Sequence, residues 1–163
     1  MTKQPHRRPS RRRAPRAAAA SPSAAHAELE RVLRIADFRA ALRTFLRRSE
    51  QVSRSCGLTP RRYLLLLMIK GAPDRSERLS FSDLAERLKL DRVTVTELVA
   101  RAERAGLVAR QRSASDRRVT YLRLTDEGER RLALAIAASD EDRRQLAGAF
   151  RQLARTFKAS TIP

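Results

Sequence analysis

Polar and cationic side chains lie at regular spacing between Asp91 and Arg101, a stretch whose apolar positions predict one helix. Arginines bind guanine or phosphate, threonines contact a thymine methyl group or a phosphate, and glutamates accept a hydrogen bond from cytosine. The outward side chains with this chemistry are Arg92, Thr94, Thr96, Glu97 and Arg101. Glu97 and Arg101 are also one helical turn apart, so a solvated ion pair is the alternative for these two.

A second charged group lies between two short segments of alternating apolar residues and consists of Asp116, Arg117 and Arg118. An arginine inserted into a narrow minor groove is stabilised by the concentrated negative potential there. The alternative is a charged hairpin tip without a partner. Further arginines that either contact phosphates or are simply solvated are Arg61, Arg62, Arg110 and Arg112.

The charge of the chain favours the same kind of partner. Its 163 residues include 36 Lys and Arg against 18 Asp and Glu, a net charge of +18 at pH 7. Residues 1–27 contain seven of the basic residues and no acidic one, so 29 basic and 18 acidic residues remain, a charge of +11. Such a charge attracts polyanions, either nucleic acid or an anionic membrane surface. The longest apolar run, Tyr63 to Ile69, is far shorter than the roughly 18 residues of a membrane span.

The composition provides few of the residues from which an enzyme active site is built. The two histidines, His6 and His26, are far apart, and the chain has neither a glycine-rich phosphate loop nor paired carboxylates in an apolar setting. We therefore predict no catalytic residues, no metal site and no cofactor. The single cysteine, Cys56, excludes an internal disulfide, and we interpret it as a small packing residue rather than a redox sensor.

Residues 1–27 contain almost no large apolar side chains, and we predict a disordered basic arm. The arm is either a solvated tail or an extension that binds phosphates. An organelle transit peptide has a similar composition, but prolines would interrupt its amphipathic helix, namely Pro5, Pro9, Pro15 and Pro22.

Apolar residues at steps of three and four predict a helix from Glu28 to about Cys56, ended by Gly57. At 1.5 Å per residue it is about 42 Å long, more than a small domain needs to cover itself. We therefore expect its surplus apolar surface to contact another chain.

Capping signals divide the next part of the chain. Thr59 and Pro60 begin a helix, Ser80 with Asp83 begins a short one, and Asp91 begins the helix described above, which stops at Gly106. The last two form a helix-turn-helix. In its second helix the side chains expected to be buried are Val93, Val95, Leu98, Val99 and Ala102.

Alternating residues in Leu107–Arg112 and Val119–Leu124 predict an antiparallel hairpin, a wing. Thr125 then caps a C-terminal helical region, which is either capped again at Ser139 with Asp142 or runs uninterrupted. The predicted fold is mainly α with a small β-hairpin wing (α+β). Within a domain of residues 28–163, a winged helix-turn-helix head at about 58–125 is flanked by N- and C-terminal dimerisation helices at about 28–56 and 126–158.

This order of elements resembles the MarR family of winged-helix transcription factors over roughly Leu29 to Phe157. The residues that carry the resemblance are Leu84–Leu88, Asp91–Val108, the wing at Asp116–Arg118 and the exit Leu124, Thr125 and Gly128. From Thr125 onward the chain is several residues shorter than the family pattern.

The resemblance implies a homodimer held by the first and last helices, with two heads on adjacent major grooves of a pseudo-palindrome and repression relieved by a small molecule or an oxidant. It also implies that Arg118 enters the minor groove, that Asp116 orients it, and that Arg117 adds a phosphate contact. Inducer pockets are lined by ordinary apolar and aromatic side chains, and the candidates here are Phe38, Phe45, Tyr63 and Leu67.

We therefore predict a sequence-specific, ligand-responsive repressor that binds a pseudo-palindromic operator in double-stranded DNA as a homodimer. We expect no membrane partner, a small-molecule effector, and a cytoplasmic location that becomes nucleoid-associated on DNA. The alternative function is an architectural or nucleoid protein that coats DNA without sequence preference.

Overall fold

The order of helices and strands is seen in the computed structural model, which describes residues 22–113, 116 and 118–159. Over that range the elements are α1 (Pro22–Ser55), α2 (Pro60–Lys70), β1 (Arg78–Ser80), α3 (Phe81–Leu88), α4 (Arg92–Arg104), β2 (Val108–Arg112), β3 (Thr120–Leu124), α5 (Asp126–Ala138) and α6 (Asp140–Ala159). The predicted fold class is confirmed. Within the described residues, no helix combines the length and the apolar character that crossing a membrane requires.

The first helix begins six residues before the predicted start at Glu28. Proline is well tolerated at a first helical position, because its missing N–H would have no intrahelical partner there, and α1 starts at Pro22. The part of the predicted basic arm from Pro22 to Ala27 is therefore helical. Residues 1–21 lie outside the described residues.

Side-chain caps fix the starts of α2 and α3, the first two helices of the head. Thr59 Oγ1 accepts from the N–H of Arg62 at 3.3 Å. Ser80 Oγ accepts from the N–H of Asp83 at 3.2 Å and donates to its carboxylate at 2.7 Å. Each cap satisfies an N–H that the helix itself leaves unpaired. The predicted starts of α2 and α3 are confirmed.

The core of the head forms around α2. Leu65, Leu66 and Ile69 are fully buried there, together with Leu84 of α3 and Val99 of α4. Cys56 packs half-buried against this core, in keeping with its interpretation as a packing residue.

A three-stranded antiparallel sheet has the order β1-β3-β2. The predicted hairpin is confirmed, with Val108 opposite Leu124 and Arg112 opposite Thr120. The strand β1 was not predicted, since three residues are too few to show alternation; it pairs Leu79 with Leu122. The sheet therefore joins the start of α3 to the wing.

The C-terminal region divides into α5 and α6 at Ser139, so the predicted interruption is confirmed and the single uninterrupted helix is wrong. The predicted capping role of Ser139 is also wrong. Its hydroxyl donates back to the carbonyl of Ala135 at 2.8 Å. Arg143 closes the end of α5 by donating from Nη1 to the carbonyl of Ile136 at 2.7 Å.

The head is joined to α5 at Thr125. The backbone N–H of Thr125 donates to the carbonyl of Leu107 at 3.1 Å. The Thr125 hydroxyl donates to the carbonyl of Gly106 at 2.5 Å and accepts from the N–H of Gly128 at 3.1 Å. A Cβ added at Gly128 would overlap the Leu107 carbonyl. Glycine at this position therefore lets the first turn of α5 lie directly on the backbone between α4 and β2.

A second contact joins α5 to the turn between α1 and α2. Arg131 donates from Nη1 to the carbonyl of Gly57 at 2.8 Å, and its Nε donates to Glu127 at 2.6 Å. Glu127 also binds Arg130 at 2.7 Å, and these two guanidinium groups, Arg130 foremost, lower the pKa of Glu127 to about 2. The Glu127 carboxylate that binds Arg131 is therefore ionised throughout the neutral pH range.

We expect Gly128→Ala to destabilise the protein by about 1–3 kcal/mol, since backbone must move to admit the methyl group. The free energy of unfolding, measured with urea at fixed protein concentration, tests this. Gly148→Ala is the matched control, because Gly148 lies within α6 and the nearest atom to an added Cβ is 3.9 Å away. That change should leave stability unchanged or raise it by up to about 1 kcal/mol. Equal effects of the two changes would contradict the role given to Gly128.

Candidate nucleic-acid interface

The face that α4 turns inward is set by four apolar residues. Val95, Leu98, Val99 and Ala102 are buried, at steps of three and four residues. The carboxylate of Asp91 caps the helix by accepting from the N–H of Thr94 at 2.9 Å. The predicted cap is confirmed, and it fixes which side chains of the first two turns are available to a partner.

Val93 does not belong to the buried set, and its predicted burial is wrong: it is 70% exposed. Two positions along a helix correspond to a rotation of about 200°, so a residue two before Val95 lies on the opposite face. The outer face of α4 therefore begins with an apolar side chain.

The structure places the predicted outward residues of α4 as follows: Arg92, Thr96, Glu97 and Arg101 are exposed, while Thr94 is half-buried. Thr94 donates its hydroxyl to Asp91 at 2.7 Å, and Thr96 donates its hydroxyl to the carbonyl of Arg92 at 2.8 Å. The bond from the Thr94 hydroxyl is the main cause of a lowered pKa at Asp91. Both hydroxyl groups are thus used inside the helix.

Glu97 and Arg101 form the ion pair that their spacing allows. Arg101 Nη2 lies 3.4 Å from Glu97 Oε2, and Arg101 Nε donates to the carbonyl of Glu97 at 3.2 Å. Both side chains are about half exposed, so the pair is worth little to stability and opens easily for a charged partner.

An open groove of about 540 Å³ lies between the start of α3 and the wing. Its lining includes Ser82 of α3 together with Arg110 and Arg118 of the wing. Arg92, in the first turn of α4, does not line the groove but donates from Nη2 to the hydroxyl of Ser82 at 3.1 Å. Ser82 therefore connects the start of α4 to the groove that contains the wing arginine.

In the wing, Asp116 shapes the turn. Its carboxylate accepts from the backbone N–H of Arg118 at 2.9 Å, rather than pairing with the guanidinium, and its own N–H donates to Ser113 Oγ at 3.3 Å. The side chain of Arg118 is exposed. Arg117 lies outside the described residues.

Arg110, which the sequence indicated only as a phosphate contact or a solvated charge, braces the wing. It donates from Nε and Nη2 to the two carboxylate oxygens of Glu103 on α4 at 2.8 and 2.9 Å. Its guanidinium also lies 5.1 Å from the centre of the Phe81 ring, and that of Arg78 lies 4.4 Å from the centre of the Tyr121 ring. The wing is therefore tied to both helices of the helix-turn-helix.

A second cavity, of about 320 Å³, lies between α1, α2 and the start of α6. Three of the four predicted ligand residues line it, namely Phe45, Tyr63 and Leu67. The fourth, Phe38, packs instead against Phe150 of α6, with ring centres 6.1 Å apart.

The wall of this apolar cavity includes one cationic side chain, Arg143. While its Nη1 caps α5 and also binds Asp140, its Nη2 is buried and has no hydrogen-bond partner in the described part of the chain. A buried donor of this kind favours a ligand that carries an acceptor. No cluster of metal-binding side chains occurs among residues 22–113, 116 and 118–159.

Comparisons with known proteins relate the head to one family. The family model described as the MarR family matches residues 57–119, from the end of α1 to the start of β3. The chain is 34% identical over 76 residues to an uncharacterised helix-turn-helix-type transcriptional regulator, YdgJ of Bacillus subtilis (strain 168), which covers 47% of this chain and 44% of the relative. It is 30% identical over 105 residues to the homoprotocatechuate degradative operon repressor of Escherichia coli, covering 64% of each. The chain thus spans about half the length of the curated relatives it matches.

A solved structure supports the fold over a longer range. A mutant MarR of Escherichia coli, crystallised in complex with operator DNA, superposes with a TM-score of 0.59. The alignment covers 76% of this chain and 90% of that one at 17% sequence identity. At 17% sequence identity, this similarity shows a shared fold.

Proposed function

Because this chain belongs to the MarR family of winged-helix proteins, we propose that it is a sequence-specific DNA-binding transcriptional repressor that responds to a small molecule. The observation that carries the proposal is the groove lined by Arg118 of the wing and by Ser82, the residue to which Arg92 at the start of α4 is bound. Such a protein is a regulator rather than an enzyme, and it acts on chromosomal DNA in the cytoplasm.

In the proposed complex the N-terminal half of α4 enters the major groove. Arg92 contacts a base or phosphate at its start, and Arg101 is released from Glu97 toward the backbone. Arg118 enters the adjacent minor groove, where negative potential is concentrated, with Arg117 on a neighbouring phosphate. Asp116 contributes by holding the backbone turn that presents Arg118.

A homodimer would place two heads on one operator. Helices α1 and α6 pack on each other, yet six large apolar side chains on them are between 42% and 58% exposed: Leu29, Val32, Leu33, Leu46, Phe150 and Phe157. Exposed apolar surface on this scale is typical of a face that contacts another chain. A second copy supplies the same face in return, as a twofold interface requires.

The cavity between α1, α2 and α6 is the proposed effector site. It touches the first helix of the head and both proposed dimerisation helices, so a ligand there favours one arrangement of the heads over another. Repression requires recognition helices about 34–36 Å apart, the spacing of successive major grooves. The unpartnered Nη2 of Arg143 points to an apolar or aromatic molecule with an anionic group.

Selection from a random DNA library with the full chain tests the proposed DNA recognition, and we expect it to yield one pseudo-palindromic sequence. Arg118→Ala should then weaken binding to that duplex about 5- to 100-fold in fluorescence anisotropy. Arg144→Ala is the control, because it removes the same charge from an exposed position on α6. Equal affinity for selected and random duplexes would contradict sequence-specific recognition and favour the architectural alternative.

Sedimentation velocity tests the dimer. We expect two copies for the unmodified chain and a shift toward one copy for Leu33→Glu, because a carboxylate would be buried in the apolar interface. Leu90→Glu is the matched control, since Leu90 is an exposed leucine in the turn before α4. A dimer that survives Leu33→Glu unchanged would rule out the proposed face.

Benzoate and neutral benzyl alcohol test the effector site. Benzoate should bind more tightly by calorimetry and release the selected duplex, and Arg143→Met should remove most of its advantage over benzyl alcohol. Leu67→Trp should fill the cavity and abolish both responses while DNA binding persists. The proposed chemistry would be wrong if the two compounds bound equally to the unmodified protein.

A further inference from the structure

The outer face of α4 carries an apolar surface that neither folding nor the proposed dimer explains. Among the described residues Val93 is the most exposed of the large apolar side chains, at 70%. It lies on the proposed recognition helix, which packs against α2, α3 and β2. Valine is also a poor choice for helix propensity at a solvated position, where straight-chain residues lose less side-chain freedom. Its apolar surface is therefore available to a partner that approaches α4 from outside.

Thr96 extends the same surface. It follows Val93 by three residues, so the two side chains are neighbours on one helical face. The hydroxyl of Thr96 donates its proton to the carbonyl of Arg92 at 2.8 Å, so toward an external partner Thr96 offers its methyl group and no hydrogen-bond donor. Val93 and Thr96 thus offer methyl groups side by side.

The polar side chains around them are engaged. The hydroxyl of Thr94 is bound to the capping carboxylate of Asp91 at 2.7 Å. The guanidinium of Arg101 is folded back on Glu97. The hydroxyl protons of Thr94 and Thr96 are therefore used within the helix, which leaves Arg92 as the hydrogen-bond donor of the first turn.

We propose that Val93 and Thr96 form an apolar contact surface that selects thymine through its C5 methyl group. This inference rests on the proposed DNA-binding function. In the major groove, thymine is the base whose edge carries a methyl group, and the other three bases present donors and acceptors there. Burying a methyl group against Val93 removes apolar surface of both partners from water, which stabilises the complex with thymine over that with cytosine or uracil.

Uracil substitution in the selected duplex tests the proposal, because uracil keeps the base pair and the O4 acceptor and lacks only the methyl group. With the full chain, replacing the contacted thymine should weaken binding about three- to five-fold per half-site, as expected for one buried methyl group. Thymines outside the contacted positions should tolerate the replacement. Fluorescence anisotropy at constant salt measures both.

Val93→Ala should bind the thymine and uracil duplexes with nearly equal affinity. Its exposed position means that folding should be unaffected, which the midpoint of urea unfolding verifies. Val93→Thr, which keeps one methyl group, should retain part of the discrimination. Leu90→Ala should retain all of it, because it removes an exposed apolar side chain outside α4.

Two results would overturn the proposal while leaving sequence-specific binding intact. One is equal affinity of the unmodified chain for every thymine and uracil pair, and the other is discrimination that persists in Val93→Ala. A selection that yields no preferred sequence would instead defeat the proposed function, and the thymine contact with it.

Discussion

The orientation of the head on the C-terminal helices depends on the place where three chain segments meet around Thr125. The turn after α4 supplies the carbonyls of Gly106 and Leu107, β3 ends there, and α5 begins with its cap on the same threonine. The fit requires that Gly128 have no side chain. Because the backbone and the hydroxyl of Thr125 both bind here at close approach, the first turn of α5 is held at a fixed position on the turn between α4 and the wing.

Local interactions were predictable from the sequence because their partners are close along the chain. The caps at Thr59, Ser80 and Asp91 each bind a residue three positions ahead. The error at Val93 is also local: counting it with Val95 as one buried stripe ignored that a helix turns about 200° in two residues. Ser139 shows the limit of residue type alone, since its hydroxyl binds backward to Ala135 instead of forward.

The remaining features depend on partners that no spacing rule brings together. The pairing of β1 with β3 joins Leu79 to Leu122, and the cavity combines residues of α1 and α2 with Arg143. Sequence reasoning identified Phe45, Tyr63 and Leu67 as aromatic or apolar candidates but included Phe38 on the same grounds, because aromatic character does not show which face of α1 meets α2. The sequence did not single out Arg143, and it indicated Arg110 only as a phosphate contact or a solvated charge, since arginines are frequent in this chain.

Arg110 has a consequence for how the head meets a double helix. Its bidentate bond to Glu103 and its position on Phe81 restrain movement of the wing relative to α4. Adding one base pair between the sites touched by these two elements would rotate one site about 35° around the duplex axis relative to the other. In the proposed complex, a head restrained in this way resists that rotation. Tolerance for altered DNA phasing would then come from movement between the two copies of the proposed dimer, and each half-site would be recognised at a fixed angular length.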